Sequence, residues 1–438
     1  PYAGSSMQTA EQKSEFEAVF GYRPFSKNLD YIALWFVKGA DYIRQSQAEL
    51  AFVTTNSVAQ GDHVGLMFPK ILAGGIEIGY AYTSFKWENN AKYNAGVTVA
   101  VISLRATKHG PKWIFTDDRR TEASNINPYL ADGPNVYPSR RSKQLSGLPR
   151  MLRGSQPSDN GNLILSPTEK IELETKDPRT SRFLKRYMGS SDFINDNERY
   201  CIWVFPNDAS SAEAIPAFTD RKDKVSLYRS GRNDQATRDF AAKPLQFKQA
   251  AFRPERSIIV PSISSGKREY IPLGVLDSDI VVSNKIYSVY GGDLWLFALL
   301  TSRMHMTWVN AISGRMRDDF QYSNTIVYNN FAVPTLNESQ RAQLTGAAMR
   351  ILDVREYHCE KTLAQLYDPN GMPENLRVAH DVNDELVDSL YSNTPYESDE
   401  ARLSDLFELY EKLIAAEEAA KPAKRARKTA KNRKAGEK

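Results

Sequence analysis

The sequence predicts an α/β sheet, followed by a mixed strand-and-helix region and then a helical region. Three observations lead there. Residues 51–104 alternate short apolar runs with a segment of helical periodicity. From residue 107 onward Pro, Gly, Asn and Ser become frequent and divide the chain into short β-branched runs. From residue 338 to residue 420 helical spacing dominates.

Residues 29–43 place Ile32, Leu34, Trp35, Val37, Tyr42 and Ile43 in a largely helical pattern. Residues 51–54 form a short extended run, broken by the polar turn chemistry of Thr55, Asn56 and Ser57. Residues 64–72 return to helical spacing and stop at Gly74 and Gly75. Residues 75–83 and 97–104 are extended again, the latter almost wholly apolar. Continuous apolar strands separated by helices predict a sheet covered on both faces. A loop between the last two strands is expected to present Phe85 and Trp87 beside Asn89, Asn90, Lys92 and Tyr93. Phe85 and Trp87 are two apart, so in an extended segment they share one side and Lys86 takes the other. Asn56 follows a strand end, where α/β folds build sites, but it reads first as an Asx-type turn residue and is not assigned a catalytic role. His63 has no partner visible in the sequence.

Farther on, the runs at 162–165, 200–205, 257–260, 280–282 and 286–289 are bounded by turn residues. They predict a mixed, strand-rich recognition domain with long loops. Residues 294–306 read as helix, followed by the polar stretch SGRMRDDFQYSNT. Helices are expected over 338–391, with breaks at Asp368, Pro369 and Pro373, and a last one over 399–420. The tail KPAKRARKTAKNRKAGEK has no apolar face and is expected to be disordered.

Composition narrows the function classes. A chain of 438 residues has room for two or three domains. No apolar run approaches the roughly 20 residues of a membrane span, so no membrane partner is expected. Cys201 and Cys359 lie far apart and outside any CxxC pattern, which argues against a disulfide framework or a metal site and for a reducing, cytoplasmic setting. The net charge of +4 hides a pattern: residues 1–138 balance, 139–330 carry +7, 331–420 carry −11 and the tail carries +8. A basic centre and a basic tail fit a polyanion partner, although charge alone leaves a protein that binds no nucleic acid equally open. No glycine-rich GxGxxG turn joins a strand to a helix. The chain opens at Pro1 without Met, and its sheet starts at its middle, so a fragment or processed product is expected.

Several blocks follow one another in an informative order. They are PYAGSSMQTAEQK, NLDYIALWF, AFVTTNSVAQGDHVG, GIEIGYAYTSFKW, INPYLADGPNVY, LPRMLRGSQPSDNGNLILS, RFLKRYMGSSDFINDNERYCIW, VPSISSGKREYIPLG, WLFALLTSRMHMTWVNAISGRMRDDFQYSNTIVYNNFAVP and KTLAQLYDP. This order resembles the C-terminal part of the fused DNA adenine-N6 methyltransferases of the MmeI type, the type IIL restriction–modification proteins. The likeness runs from the first residue to about residue 410.

The resemblance implies a partial Rossmann-like sheet of a class I S-adenosylmethionine-dependent methyltransferase over residues 1–125. It implies a mixed α+β target-recognition domain over 126–335 and an α-helical region over 336–420, while residues 421–438 remain the basic tail that their own composition predicts to be disordered. The implied reaction moves a methyl group from S-adenosylmethionine to adenine N6 of a flipped base in double-stranded DNA. The family's catalytic tetrapeptide is Asn-Pro-Pro-Tyr, of which Pro1 and Tyr2 match the last two residues. Such a motif is needed because the adenine amine is a weak nucleophile. Acceptors aimed at its N–H bonds favour a pyramidal nitrogen, and an aromatic face holds the base flat. Tyr2 would supply that face, and Phe85 or Trp87 a second wall.

The resemblance also points to DNA contacts from Arg150, Arg153, Lys267, Arg268, Glu269, Arg315, Arg317 and Asn324. Arg or Lys pairs with guanine, Asn with adenine and Glu with cytosine. The stretch 265–269 is the first place to look for base choice. The cofactor turn and catalytic Asn are expected upstream of Pro1, some members also carry an N-terminal nuclease of which no PD…ExK-like cluster is evident in this sequence, and no metal site is expected in this chain. Taken literally, the chain would not methylate DNA by itself. Three alternatives stay open at this point: a cytosine-N4 target, a non-catalytic DNA-binding specificity protein acting with a separate catalytic half, and an inactive relative.

Overall fold

A computed structural model describes residues 3–21, 24–46, 48–87, 97–108, 110–116, 119–316 and 318–420. Pro1, Tyr2, Asn89, Asn90, Lys92, Tyr93, Arg317 and the tail lie outside the described residues. The chain divides into two compact units. The first holds Pro1–Leu148, Asn329–Thr335 and Tyr396–Lys438, and the second holds Pro149–Tyr328 and Leu336–Pro395.

In the first unit, helix α1 (Ala10–Phe20) starts at a capping box in which Thr9 and Gln12 satisfy each other's backbone N–H groups. Helix α2 (Ala33–Ser46) buries Leu34, Phe36, Val37, Ala40 and Ile43 on one stripe. Strand β1 (Leu50–Thr55) leads through a 3-10 turn, Asn56–Ala59, into α3 (Gly61–Ile71). Just beyond α3, Gly74 and Gly75 take φ of 74° and 82°, a region that side chains with a Cβ avoid. Strands β2 (Ile76–Trp87), β3 (Val97–Ala106), β4 (Lys112–Phe115) and β5 (Arg120–Ala123) complete a sheet of order β1-β3-β2-β4-β5. Strands β1 and β2 both run antiparallel to β3, hence parallel to each other.

Two expectations are corrected here. Phe85 and Trp87 do not lie in a loop: they end β2, where they pair with Val99 and Val97 of β3. The polar Thr83 and Ser84 hid the continuation of the strand. Strand β1 is not covered throughout. It is an edge of the sheet among the described residues, and Ala51 and Val53 are exposed on it.

The base of the sheet carries a buried charge cluster. The Glu77 carboxylate accepts from Arg105 Nε at 2.8 Å and faces Lys112 Nζ at 3.1 Å, and all three side chains are largely buried. Glu77→Gln is expected to lower stability by about 3 kcal/mol, because it leaves two buried cations facing each other. A urea midpoint that moves by the equivalent of less than about 1 kcal/mol would show that the cluster is not needed.

The second unit holds three small sheets among its described residues. One has strands β6 (Leu152–Arg153), β10 (Ser257–Pro261), β12 (Gly274–Leu276) and β14 (Ile286–Tyr290), in the order β12-β10-β14-β6. Another has β7 (Ile164–Leu165), β8 (Leu184–Met188), β9 (Tyr200–Ile202) and β13 (Val281–Val282), in the order β13-β8-β9-β7. The third has β11 (Ile263–Ser264), β15 (Gly314–Met316) and β16 (Asp319–Gln321), in the order β11-β16-β15.

The strand-rich expectation for this region needs correction. Helices Pro167–Lys176, Ser190–Asn195, Ala209–Glu213, Thr219–Ser230 and Gln235–Asp239 occupy much of residues 167–239. They carry no apolar stripe: Pro167–Lys176 buries Leu173, and Thr219–Ser230 buries Val225 and Arg229. The fully buried Arg229 donates to the backbone carbonyls of Pro157, Ser158, Phe240, Lys243 and Gln246. Helices Leu294–Leu300, Arg303–Ile312, Glu338–Tyr357 and Glu374–Asp388 pack as the unit's helical part. The last helix, Asp399–Ala420, spans the residues expected of it. No described helix is long and apolar enough to cross a membrane.

Candidate functional site

The first site candidate is one rim of the five-stranded sheet. Thr55 and Phe85 pair with the same residue, Val99, from its two sides. That puts the turn starting at Asn56 and the end of β2 on the same rim, two strand spacings or about 10 Å apart. Two bulges shift β2 by one residue each, between Ile78 and Ala81 and between Tyr82 and Phe85. Bulges of this kind twist a strand end and re-aim its side chains. Trp87 is 41% exposed and Phe85 half-buried, so both rings keep accessible faces. Asn56 is buried in its turn, and Thr55 Oγ1 lies 3.0 Å from Ser57 Oγ.

His63 has a partner that sequence spacing did not reveal: its Nε2 lies 3.3 Å from Asp30 Oδ2. The other Asp30 oxygen accepts from the backbone N–H of Ser5 at 3.0 Å. The N–H of Tyr31 donates to the carbonyl of Ala3 at 2.9 Å, and Gln8 Nε2 donates to the carbonyl of Leu29 at 2.9 Å. The segment directly after Tyr2 is therefore pinned to residues 29–31, and through Asp30 to the first turn of α3. Nothing in the local sequence signals this contact.

The second candidate lies in the other unit, at the tip of the sheet β11-β16-β15. The turn after β11 is tight: the N–H of Arg268 donates to the Ser265 carbonyl at 3.2 Å. A Cβ on Gly266 would lie 2.0 Å from the carbonyl oxygen of Asp318, so only glycine lets this turn touch the one between β15 and β16. Lys267, Arg268 and Arg315 are thereby gathered at one tip. Lys267 is exposed, and burial holds the guanidinium groups of Arg268 and Arg315 below the usual arginine range. The Arg315 guanidinium lies over the Phe320 ring at 4.3 Å and donates to the Asp318 carbonyl at 3.2 Å.

The remaining predicted DNA contacts have other surroundings. Glu269 faces Arg377 at 2.6 Å and Arg303 at 3.4 Å, so both its oxygens are engaged. Asn324 opens a π-helical turn and donates to the Met151 carbonyl at 3.1 Å. Arg150 and Arg153 are exposed, and Arg153 Nε donates to the Asn284 carbonyl at 2.9 Å.

Three family models fall in succession along the chain. The MmeI DNA-methyltransferase domain matches residues 1–116, the MmeI target recognition domain residues 132–335, and the MmeI C-terminal domain residues 336–416. The chain belongs to the MmeI family. DNA methyltransferase A of Bacillus subtilis (strain 168) is 39% identical over 419 residues, which is 94% of this chain and 47% of that protein. The type IIL restriction–modification enzyme MmeI, solved in complex with DNA, matches with a TM-score of 0.86 and 34% identity over 95% of this chain and 56% of its own. The chain thus spans about half the length of these MmeI-family relatives. A methyltransferase model over residues 1–116 favours an MmeI-type methyltransferase with its own target recognition domain over a separate specificity protein.

Proposed function

We propose that this MmeI-family chain supplies the base-holding rim and the sequence-reading tip of a site-specific DNA methyltransferase. The target is N6 of an adenine flipped out of double-stranded DNA, within a restriction–modification system of the cytoplasm. The observation that carries this reading is the shared rim of Asn56 and the Phe85–Trp87 segment, at the carboxyl ends of two parallel strands. Open α/β sheets hold ligands at that end.

Extruding a base costs a few kcal/mol, and stacking on an aromatic face returns about 1–3 kcal/mol. Among the described residues, Trp87 and Phe85 are rings available for this on the rim. Tyr2 and Pro1 join them in the proposal as the remnant of the catalytic tetrapeptide. S-adenosylmethionine supplies the methyl group when bound. The turn between β1 and α3 is filled by a 3-10 turn with Asn56 and Gln60 buried, unlike a glycine-rich turn that lets backbone approach a cofactor. No residue of this chain is therefore assigned to holding it. At the tip, Lys267, Arg268 and Arg315 contact base edges or phosphates, with Arg150, Arg153 and Asn324 as further contacts, and Arg317, outside the described residues, is carried over from the sequence alone.

Base-resolution mapping of modified bases in cells that carry the gene tests this. The expected result is N6-methyladenine at one short motif. In vitro, Trp87→Ala is expected to lower the fluorescence gain of 2-aminopurine placed at the target base, since about 1–3 kcal/mol of stacking is lost. N4-methylcytosine at the motif, or no modified base at all, would contradict the adenine assignment.

A further inference from the structure

Directly behind the tip, the chain enters a buried polar network. Tyr270, 1% exposed, donates its hydroxyl to Asp384 Oδ2 at 2.6 Å. The other Asp384 oxygen accepts from the backbone N–H of Arg303 at 2.7 Å. The Tyr270 ring stacks on His380 with centroids 4.1 Å apart and planes within 19°. His380 Nε2 lies 2.8 Å from the Tyr367 hydroxyl, which accepts from Arg355 Nε at 2.7 Å. Arg355 also donates to the Leu273 carbonyl at 2.6 Å, closing the path three residues past Tyr270. One residue before Tyr270, Glu269 is paired with Arg377 and Arg303.

Arg377, His380 and Asp384 sit at positions i, i+3 and i+7 of helix Glu374–Asp388, so they share one face. That face meets residues 269 and 270, directly after the turn that carries Lys267 and Arg268. The helix falls in the stretch matched by the MmeI C-terminal domain, and the turn in the stretch matched by the target recognition domain. The network therefore crosses from one family domain to the other within one compact unit. A carboxylate held by two guanidinium groups is already occupied, and a buried, stacked tyrosine cannot reach a base. Their position still dictates the attitude of the turn in front of them.

We propose that Glu269 and Tyr270 are positioning residues: anchored to Arg377 and Asp384, they hold the Lys267–Arg268 turn in its DNA-reading attitude. The C-terminal helix thereby influences sequence discrimination without touching a base. This rests on the DNA-contact role proposed above for Lys267 and Arg268.

The test is a double-mutant cycle on the full 438-residue chain. The probes are a duplex enriched from a randomised pool and a scrambled duplex of equal length. The readout is the ratio of the two affinities, with the salt dependence of scrambled binding. Glu269→Gln is expected to lower the ratio about fivefold, and to add little once Lys267→Ala is present, because coupled residues are not additive. The salt slope stays unchanged, since no phosphate-facing cation is lost. Tyr270→Phe keeps the stack on His380, loses the bond to Asp384, and is expected to act in the same direction.

The proposal is overturned if Glu269→Gln and Tyr270→Phe lower only the melting temperature, or if the effects of Glu269→Gln and Lys267→Ala simply multiply. A loss of preference at a base position that Lys267→Ala leaves alone would assign Glu269 to direct reading, and also overturns it. If Lys267→Ala and Arg268→Ala both leave the ratio unchanged, the DNA-contact role itself fails.

Discussion

Arg229→Met is expected to destabilise the second unit by about 5 kcal/mol or more. The guanidinium is fully buried and donates to five backbone carbonyls from two separate stretches of chain, 157–158 and 240–246. Each buried acceptor left without a donor costs about 1–3 kcal/mol, and Met supplies no donor. Burial pushes the Arg229 pKa down to about 10, so the group stays charged at neutral pH. Arg229→Lys retains the charge but has only three donors on a single nitrogen, and should fall between wild type and Met. A loss of 5 kcal/mol rivals the whole stability of a typical domain. Thermal unfolding followed by circular dichroism checks this, and a Met variant that melts with wild type would refute the proposed role.

Gly266→Ala should damage recognition more than it damages folding. The new methyl group would meet the carbonyl oxygen of Asp318 at 2.0 Å and Arg315 Nη1 at 3.1 Å. Backbone cannot yield as a side chain can, so the two turns of the tip must separate. Lys267 and Arg268 sit on one turn, and Arg315 flanks the other. Misplacing two base contacts, at about 1–3 kcal/mol each, lowers discrimination on the order of 30-fold or more. The tip is a small three-stranded sheet, so the melting temperature should change little. A Gly266→Ala protein that selects the same duplex with the same preference would remove the tip from the reading.

Much of the architecture was legible where apolar periodicity was strong. Strands β1 to β3, helix α3 and its glycine stop, and helix Asp399–Ala420 follow from spacing and turn residues. The helices between residues 167 and 239 were not, because their sequences are charged and bury only one or two side chains each in the longest cases. One signal was available: Ser166, Pro167 and Glu169 form a capping box with proline in the first turn.

The end of β2 escapes the sequence pattern because Thr83 and Ser84 close the apolar run at 78–82, although the pairing of Phe85 and Trp87 with β3 continues past them. The contacts that build the two sites were hidden for a different reason. Asp30 with His63, Gly266 with Asp318, and Glu269 with Arg377 join residues distant in sequence. Local pattern gives residue types at those positions, and only the fold brings them together.

The central claim is that this chain chooses a DNA sequence, and selection of duplexes from a randomised pool tests it most directly. The account predicts enrichment of one short motif by the wild-type chain, with an affinity that falls steeply as salt rises. Gly266→Ala should retain the salt dependence and lose the motif. A wild-type chain that binds every duplex alike, or none, would contradict the claim.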